Sequence, residues 1–398
     1  MNVKLSNKIM RPDFQGEFTA SILAAAASPE IISFAGGLPF ASSFPIKEIQ
    51  AASEKVFSEN PVLALQYNSA KGYEPLRQVI ADRYKKTMDL DFSADDIIVT
   101  NGSQQALDLI AAALIDDGDE VACENPCYLV ALQTFHLYNP VVCPVELTDE
   151  GMNLDSLKEM LDKHNPKFMY MVTNFQNPTG ITYTDENRQA IADLVKDRDI
   201  VVVEDNPYGE LRFAGKAGKS MHYYLGKQCL LLGTFSKIAS PGMRVGWIAC
   251  KDPDMKAKLL NYKSAVDLHT NMPCQMILAH YMLDNDFEAH MVDVREMYRQ
   301  KAVCMMDCLD KYLPEGVKFT RPEGGMFIWL TLPEGVAGVD VQDEALKRHV
   351  GIVAGDPFYE YDRNTNTIRL NYTNSTDEEI DYGIKALAES IEVVMNRK

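Results

Sequence analysis

Lys237 stands in the stretch Gly-Thr-Phe-Ser-Lys-Ile-Ala-Ser-Pro-Gly-Met-Arg-Val-Gly-Trp at residues 233–247, directly after the apolar run 229–232. A strand that ends there delivers a lysine into a polar loop. Such an amine forms Schiff bases when desolvation and nearby cations keep it neutral. Ser236 and Arg244 add a hydroxyl donor and a guanidinium fork, which together suit a phosphate better than a lone ammonium does. The three residues point to pyridoxal phosphate. Taken alone, they also read as a solvated loop lysine beside a surface arginine.

Three further segments supply what an aldehyde cofactor needs. Asp205 follows the run 199–204 and precedes Asn206-Pro207-Tyr208-Gly209, which places it at a strand's carboxyl end, where open α/β sheets hold ligands. A carboxylate there keeps a pyridine nitrogen protonated and the ring electron-withdrawing. Tyr208 is placed to donate to the ring's phenolic oxygen. A turn or capping aspartate before proline is the alternative for Asp205. At 97–110 an extended run passes through Asn101-Gly102 into a helical pattern with Leu107, Ile110 and Leu114 on one face. Gly102 admits close backbone approach, and Ser103 and Gln104 at the helix start form an anion site favoured by the helix dipole. Ser103 also serves as a simple N-cap. The strand 168–173 breaks into Asn177-Pro178-Thr179-Gly180, where Asn177 is a second partner for the phenolic oxygen and the sequence is also a good turn. Tyr128, past another strand, is placed to stack on the ring or to be a half-buried core tyrosine.

This combination resembles the fold-type I pyridoxal-phosphate aminotransferases, class I/II, in particular the aromatic and 2-aminoadipate subgroup, over nearly the whole chain. The resemblance implies the α/β aspartate aminotransferase-like fold. It makes Lys237 the Schiff-base lysine, Asp205 the partner of the pyridine nitrogen, and Tyr208 and Asn177 the partners of the phenolic oxygen. Ser103, Gln104, Ser236 and Arg244 become phosphate ligands and Tyr128 the stacking aromatic. Tyr67 resembles the tyrosine that reaches the phosphate of the neighbouring subunit, which implies a homodimer with shared active sites. Arg369, in Asn-Thr-Ile-Arg-Leu-Asn-Tyr, matches the arginine for the substrate's α-carboxylate, and Gly37 the glycine lining the site. Arg369 also reads as a strand arginine paired with a surface carboxylate.

The elements that must position these residues follow from patterning. A chain of 398 residues exceeds what one core supports. Strands and helices alternate from about residue 96 to 250, predicting a mainly parallel sheet covered on both faces. A long helix is expected over 287–313, then a strand at 326–330, a helix at 342–349, a strand at 367–372 and a terminal helix from Asp377 with Ile380, Ile384, Leu387 and Ile391 on its buried face. These divide the chain into a large lobe, 46–284, and a small α+β lobe of 1–45 with 285–398.

The net charge of −18 argues against nucleic-acid binding, which needs clustered cations. The N-terminus lacks a signal-peptide core and no run approaches the roughly 18 apolar residues of a spanning helix. A cytoplasmic enzyme without membrane contact is expected. Eight scattered cysteines read as reduced thiols packed as small hydrophobes. Cys304 and Cys308 share a helix face without metal-binding partners, and no metal is expected.

The resemblance further implies ping-pong transfer, in which Lys237, displaced by an amino acid held through Arg369, becomes the general base for the α-proton. In the aminoadipate enzymes that the chain resembles, a short N-terminal helix carries an arginine for the side-chain carboxylate. The corresponding stretch here, Glu17-Phe-Thr-Ala-Ser-Ile-Leu, has none. Phe18 and Ile22 favour aromatic or neutral donors, and 2-oxoglutarate is the acceptor expected from the family. Two rivals remain. A carbon–sulfur β-lyase shares the lysine, aspartate and arginine. A non-catalytic sensor shares the fold, and usually carries a DNA-binding arm that this sequence lacks.

Overall fold

The structure is a computed structural model that describes residues 3–11, 13–18, 20, 28 and 30–397. A short parallel pair, β1 (Ile32–Ser33) against β12 (Val350–Gly351), ties the N-terminal segment to the C-terminal part of the chain. The main sheet contains β2 (Ile97–Thr100), β3 (Glu120–Asn125), β4 (Val141–Thr148), β5 (Gly151–Met152), β6 (Phe168–Met171), β7 (Val201–Asp205), β8 (Cys229–Thr234) and β9 (Gly246–Ala249). Their order is β2-β9-β8-β7-β6-β3-β4-β5. The centre, from β4 through β8, is parallel. β9 runs antiparallel to both β2 and β8, and β5 antiparallel to β4, so the sheet is mixed towards its edges.

The central strands are apolar on both faces because helices cover both, and all six residues of β8 are buried. The helix Gly102–Leu114 buries Leu107 and Ile110 as its pattern predicts, while Leu114 is only partly covered.

The second sheet orders β10 (Lys318–Phe319), β11 (Phe327–Thr331), β14 (Thr367–Asn371) and β13 (Val353–Ala354), all antiparallel. The long helix Phe287–Tyr312 and the terminal helix Asp377–Met395 pack on each other beside it. The latter starts with a Thr376/Glu379 capping box and buries Ile380, Ile384, Leu387 and Ile391 as expected.

The helix expected over 342–349 instead spans Gly338–Leu346. Gly338 N donates to Thr365 O at 2.7 Å, and a Cβ there would collide with Thr367 O. That tertiary contact fixes the start, and His349 at φ 58 lies past the end.

Candidate active site

The carboxyl ends of the parallel strands and the start of the helix Gly102–Leu114 meet at one cavity of about 270 Å³. β8 leads through Phe235 and Ser236 to the half-buried Lys237. Lys237 Nζ donates to Gly37 O at 2.8 Å, so the N-terminal segment holds the amine. Removal from water, then repulsion from Arg369 and Arg244, pushes the Lys237 ammonium down to about 8.

The corner around Gly102, Ser103 and Arg244 is built by close backbone approach. Gly102 has φ +70, and a Cβ there would lie 2.6 Å from Arg244 Nη2. Glycine is therefore required twice over, for the left-handed backbone and for the guanidinium beside it. Gly246 is equally constrained, since its Cβ would lie 2.6 Å from Ser103 N. Arg244 itself adopts φ 54 after the turn at Pro241–Met243. Thr234 Oγ1 donates to Ser236 Oγ at 2.9 Å, and Gln104 Nε2 to Thr134 Oγ1 at 2.6 Å. The helix N-terminus, two serines and a guanidinium thus converge.

Opposite this corner, Asp205 ends β7 and is buried, and Tyr170 OH donates to its Oδ2 at 2.9 Å. Burial pushes the carboxyl up to about 6, and the tyrosine bond opposes that rise. Asn177 links two functional side chains. Its Nδ2 donates to Tyr208 OH at 3.3 Å, and its Oδ1 accepts from Arg369 Nη1 at 2.9 Å. Arg369 Nη2 donates to Ala35 O at 2.6 Å, and its guanidinium lies 4.4 Å from the Phe327 ring centroid and 4.9 Å from that of Phe358. Burial lowers Arg369 to about 10 and raises Tyr128 to about 12.

Eleven of the residues singled out in the sequence line this cavity: Gly37, Ser103, Gln104, Tyr128, Asn177, Asp205, Tyr208, Ser236, Lys237, Arg244 and Arg369. Gly102 lies beneath Arg244. Tyr67 stands apart, 77% exposed, with its ring edge-on to His269. Phe18 is half-buried against a cluster that includes Leu129, Trp329 and Phe358, whereas Ile22 lies outside the described residues. Sequence reasoning missed Tyr170 and Phe327. A phenol in the otherwise apolar β6 was a legible signal for the first. Phe327 gave none, because its role depends on the 42-residue separation that the β11–β14 pairing closes to bring it near Arg369 (369 − 327 = 42). Elsewhere, Glu120, Cys143 and His164 gather within ligating distance of one another, with Glu120 already held by His164 at 2.7 Å and by Asn165 N.

The donor set fits pyridoxal phosphate. Asp205 Oδ1 is buried and finds no partner among the described residues, as expected of a carboxylate oxygen facing a protonated ring nitrogen. Arg369 Nε is likewise unpaired. The fold and cavity define a pyridoxal-phosphate-dependent transaminase. The chain matches Aminotransferase class I and II over residues 34–387 and belongs to that family.

Among its relatives, an aromatic-amino-acid aminotransferase of Thermococcus litoralis is 38% identical over 99% of each chain. The kynurenine aminotransferase of Pyrococcus horikoshii, solved in complex with PMP, KYN and KYA, superposes with a TM-score of 0.92 at 38% identity, covering 98% of this chain and 97% of that one. The α-aminoadipate aminotransferase LysN of Thermus thermophilus, complexed with N-(5'-phosphopyridoxyl)-L-leucine, gives 0.90 at 35% identity, covering 99% and 100%. The protein moves an amino group between an amino acid and a 2-oxo acid, and these likenesses favour that reaction over the lyase and sensor readings. Among the described residues, no helix is long and apolar enough to cross a membrane.

Proposed function

We propose that the amino donor carries an aromatic or neutral side chain, that 2-oxoglutarate is an acceptor, and that turnover is ping-pong. The carrying observation is the inventory of cations in the cavity. Among the described lining residues these are Lys237, Arg244 and Arg369. The first serves the chemistry, the second the phosphate and the third the α-carboxylate, which leaves no cation for a second carboxylate. The remaining wall includes Leu38, Val130 and Phe327, surfaces suited to apolar groups. The aromatic and kynurenine relatives agree with this reading, and the aminoadipate relative is the competing precedent.

In this reading Arg369 receives the α-carboxylate through its fork, held planar between Phe327 and Phe358 and oriented by Asn177 and Ala35 O. Lys237 Nζ takes the α-proton and passes it on, a role helped by an ammonium pushed down to about 8. Bound pyridoxal phosphate supplies an aldehyde carbon for the amino group and a ring that accepts the electron pair left at the α-carbon. Asp205 would hold the ring nitrogen's proton, and Tyr208 and Asn177 would donate to the phenolic oxygen. Tyr128, in the cavity wall, would cover the ring. Ser103, Gln104, Ser236 and Arg244 hold the phosphate, with Gly102 admitting Arg244. Gly37 keeps the neutral amine placed.

The same reading makes 46–284 the large lobe and 1–45 with 285–398 the small one, supported by the β1–β12 pairing across the chain. A homodimer is supported by the exposed apolar side chains of Val62, Leu65 and Tyr67, which lie close together in the chain. A cytoplasmic setting accords with eight free cysteines.

The test is a titration of the holoenzyme's visible absorbance with a panel of amino acids, followed by 2-oxoglutarate. Aromatic donors should bleach the cofactor band at the highest specificity constant, and the oxo acid should restore it. A preference for 2-aminoadipate would overturn the donor assignment. In Lys237→Ala both the band and turnover should be lost.

A further inference from the structure

Behind the segment that carries Asp205 and Tyr208 lies a second cavity, of about 390 Å³. The two cavities share Pro207 and Thr234, and Asn206 and Gly209 line the second on either side of Pro207-Tyr208. Its size lies within the range of small-molecule sites.

One side of this cavity is aromatic. Trp247 packs against Phe235 with ring centroids 5.0 Å apart and edge-on to Tyr84 at 6.3 Å, and its Nε1 donates to Tyr84 OH at 2.8 Å. The polar side has three guanidiniums, of Arg83, Arg212 and Arg295, against the single carboxylate of Glu210. Arg83 is consumed by Glu210 and Glu288. The other two keep donors to spare. Arg212 lies 4.6 Å over the Phe175 ring and donates through Nη1 to Ala214 O and Glu323, while its Nη2 is buried without an acceptor among the described residues. Arg295 donates through Nε to Glu210 O at 2.7 Å and has no carboxylate within 4 Å among the described residues. Buried guanidinium donors are ordinarily paired, so the unpartnered Nη2 of Arg212 beside a cavity favours an anion that accepts from a planar fork, with the half-exposed Arg295 able to add a second donor. Ring faces and edges beside them favour a flat apolar body.

We propose that this cavity binds a planar aromatic monocarboxylate, its carboxylate taken by Arg212 and Arg295 and its ring lying against Tyr84 and Trp247. Because the wall between the cavities is the segment that holds Asp205 and Tyr208, occupancy alters turnover without competing for the catalytic cavity. A flat acid of this kind resembles the side chain and carboxylate of the proposed donor without its α-amino group, so the site senses that class of metabolite.

Phenylacetate is the probe, since it has neither an α-amino nor a 2-oxo group and cannot turn over. Steady-state inhibition of the holoenzyme is measured at varied amino donor, alongside tryptophan fluorescence of Trp329→Phe, in which Trp247 is the remaining tryptophan. A non-competitive component is expected besides any competition at Arg369. Arg212→Met and Arg295→Met should each weaken that component about tenfold, the loss of one charge-assisted contact. Ala217→Phe, which fills the cavity from its lining, should abolish it. Arg212→Met and Arg295→Met, which leave the cavity open, should keep kcat and KM without phenylacetate essentially unchanged, which separates this site from the catalytic one. Purely competitive inhibition, unaltered in the three variants, overturns the proposal. So does a non-competitive component produced equally by inorganic phosphate, because that would assign an anion site without an aromatic requirement.

Discussion

The chemistry of Lys237 depends on what surrounds its Nζ. Its ammonium is lowered first by loss of water and then by Arg369 and Arg244, so below about 8 the amine is protonated and above it neutral. The rate at which pyridoxal phosphate reconstitutes the apoprotein should therefore rise with pH and level off above about 8, well under the usual lysine range of about 10.4. Arg369→Met removes one of the two repelling cations and should shift that midpoint upward. An unmoved midpoint would assign the depression to burial and Arg244 without Arg369. Phe327 tests the substrate side. It stacks on the Arg369 guanidinium and meets the Tyr208 ring edge-on at 5.9 Å. Phe327→Leu keeps the bulk and removes the ring quadrupole, worth about 0.5–2 kcal/mol in desolvated pairs. KM for donor and acceptor should both rise about threefold to thirtyfold, because in the proposed reading both are held by the same arginine, and Phe327→Tyr should restore them. A change in only one of the two would contradict a shared carboxylate site.

At the scale of elements, strand ends do most of the positioning. β7, β8 and the helix Gly102–Leu114 each present a functional residue within a few positions of their termini, which is why these residues were legible in sequence: an apolar run followed by a polar, turn-forming break marks such an end. The antiparallel course of β9 was not legible, since periodicity reports burial and not direction. The clamp on Arg369 was hidden as well, because it is made by a strand pairing. Gly102 separates two readings of the same glycine. In Gly102→Ala the positive φ is strained and the new Cβ falls 2.6 Å from Arg244 Nη2, so cofactor affinity should drop about tenfold or more. Gly118→Ala is the control. It has φ +89 but nothing within 4 Å of the added Cβ, so it should lose about 1 kcal/mol of stability and keep its affinity for the cofactor. Equal affinities for the two variants would mean that Gly102 serves the backbone alone.

For the whole molecule, the open question is how Tyr67 takes part. Its phenol is 77% exposed and lies outside the catalytic cavity, while Val62 and Leu65 beside it are 77% and 74% exposed. Exposed apolar side chains gathered on one short helix and the turn after it, Pro61–Leu65 to Tyr67, are costly for an isolated chain and ordinary for an interface core. In the proposed homodimer they are covered, and Tyr67 of one subunit reaches the phosphate corner of the other. Two variants distinguish this from a surface role. Leu65→Asp places a charge in the interface, and sedimentation should show a shift to monomer together with loss of activity. Tyr67→Phe removes only the hydroxyl, so it should remain dimeric and bind pyridoxal phosphate severalfold more weakly, consistent with one hydrogen bond to a charged group at about 1.5–3 kcal/mol less the water that replaces it. A wild-type cofactor affinity in dimeric Tyr67→Phe would remove Tyr67 from the site, and an active monomer would remove the shared active site altogether.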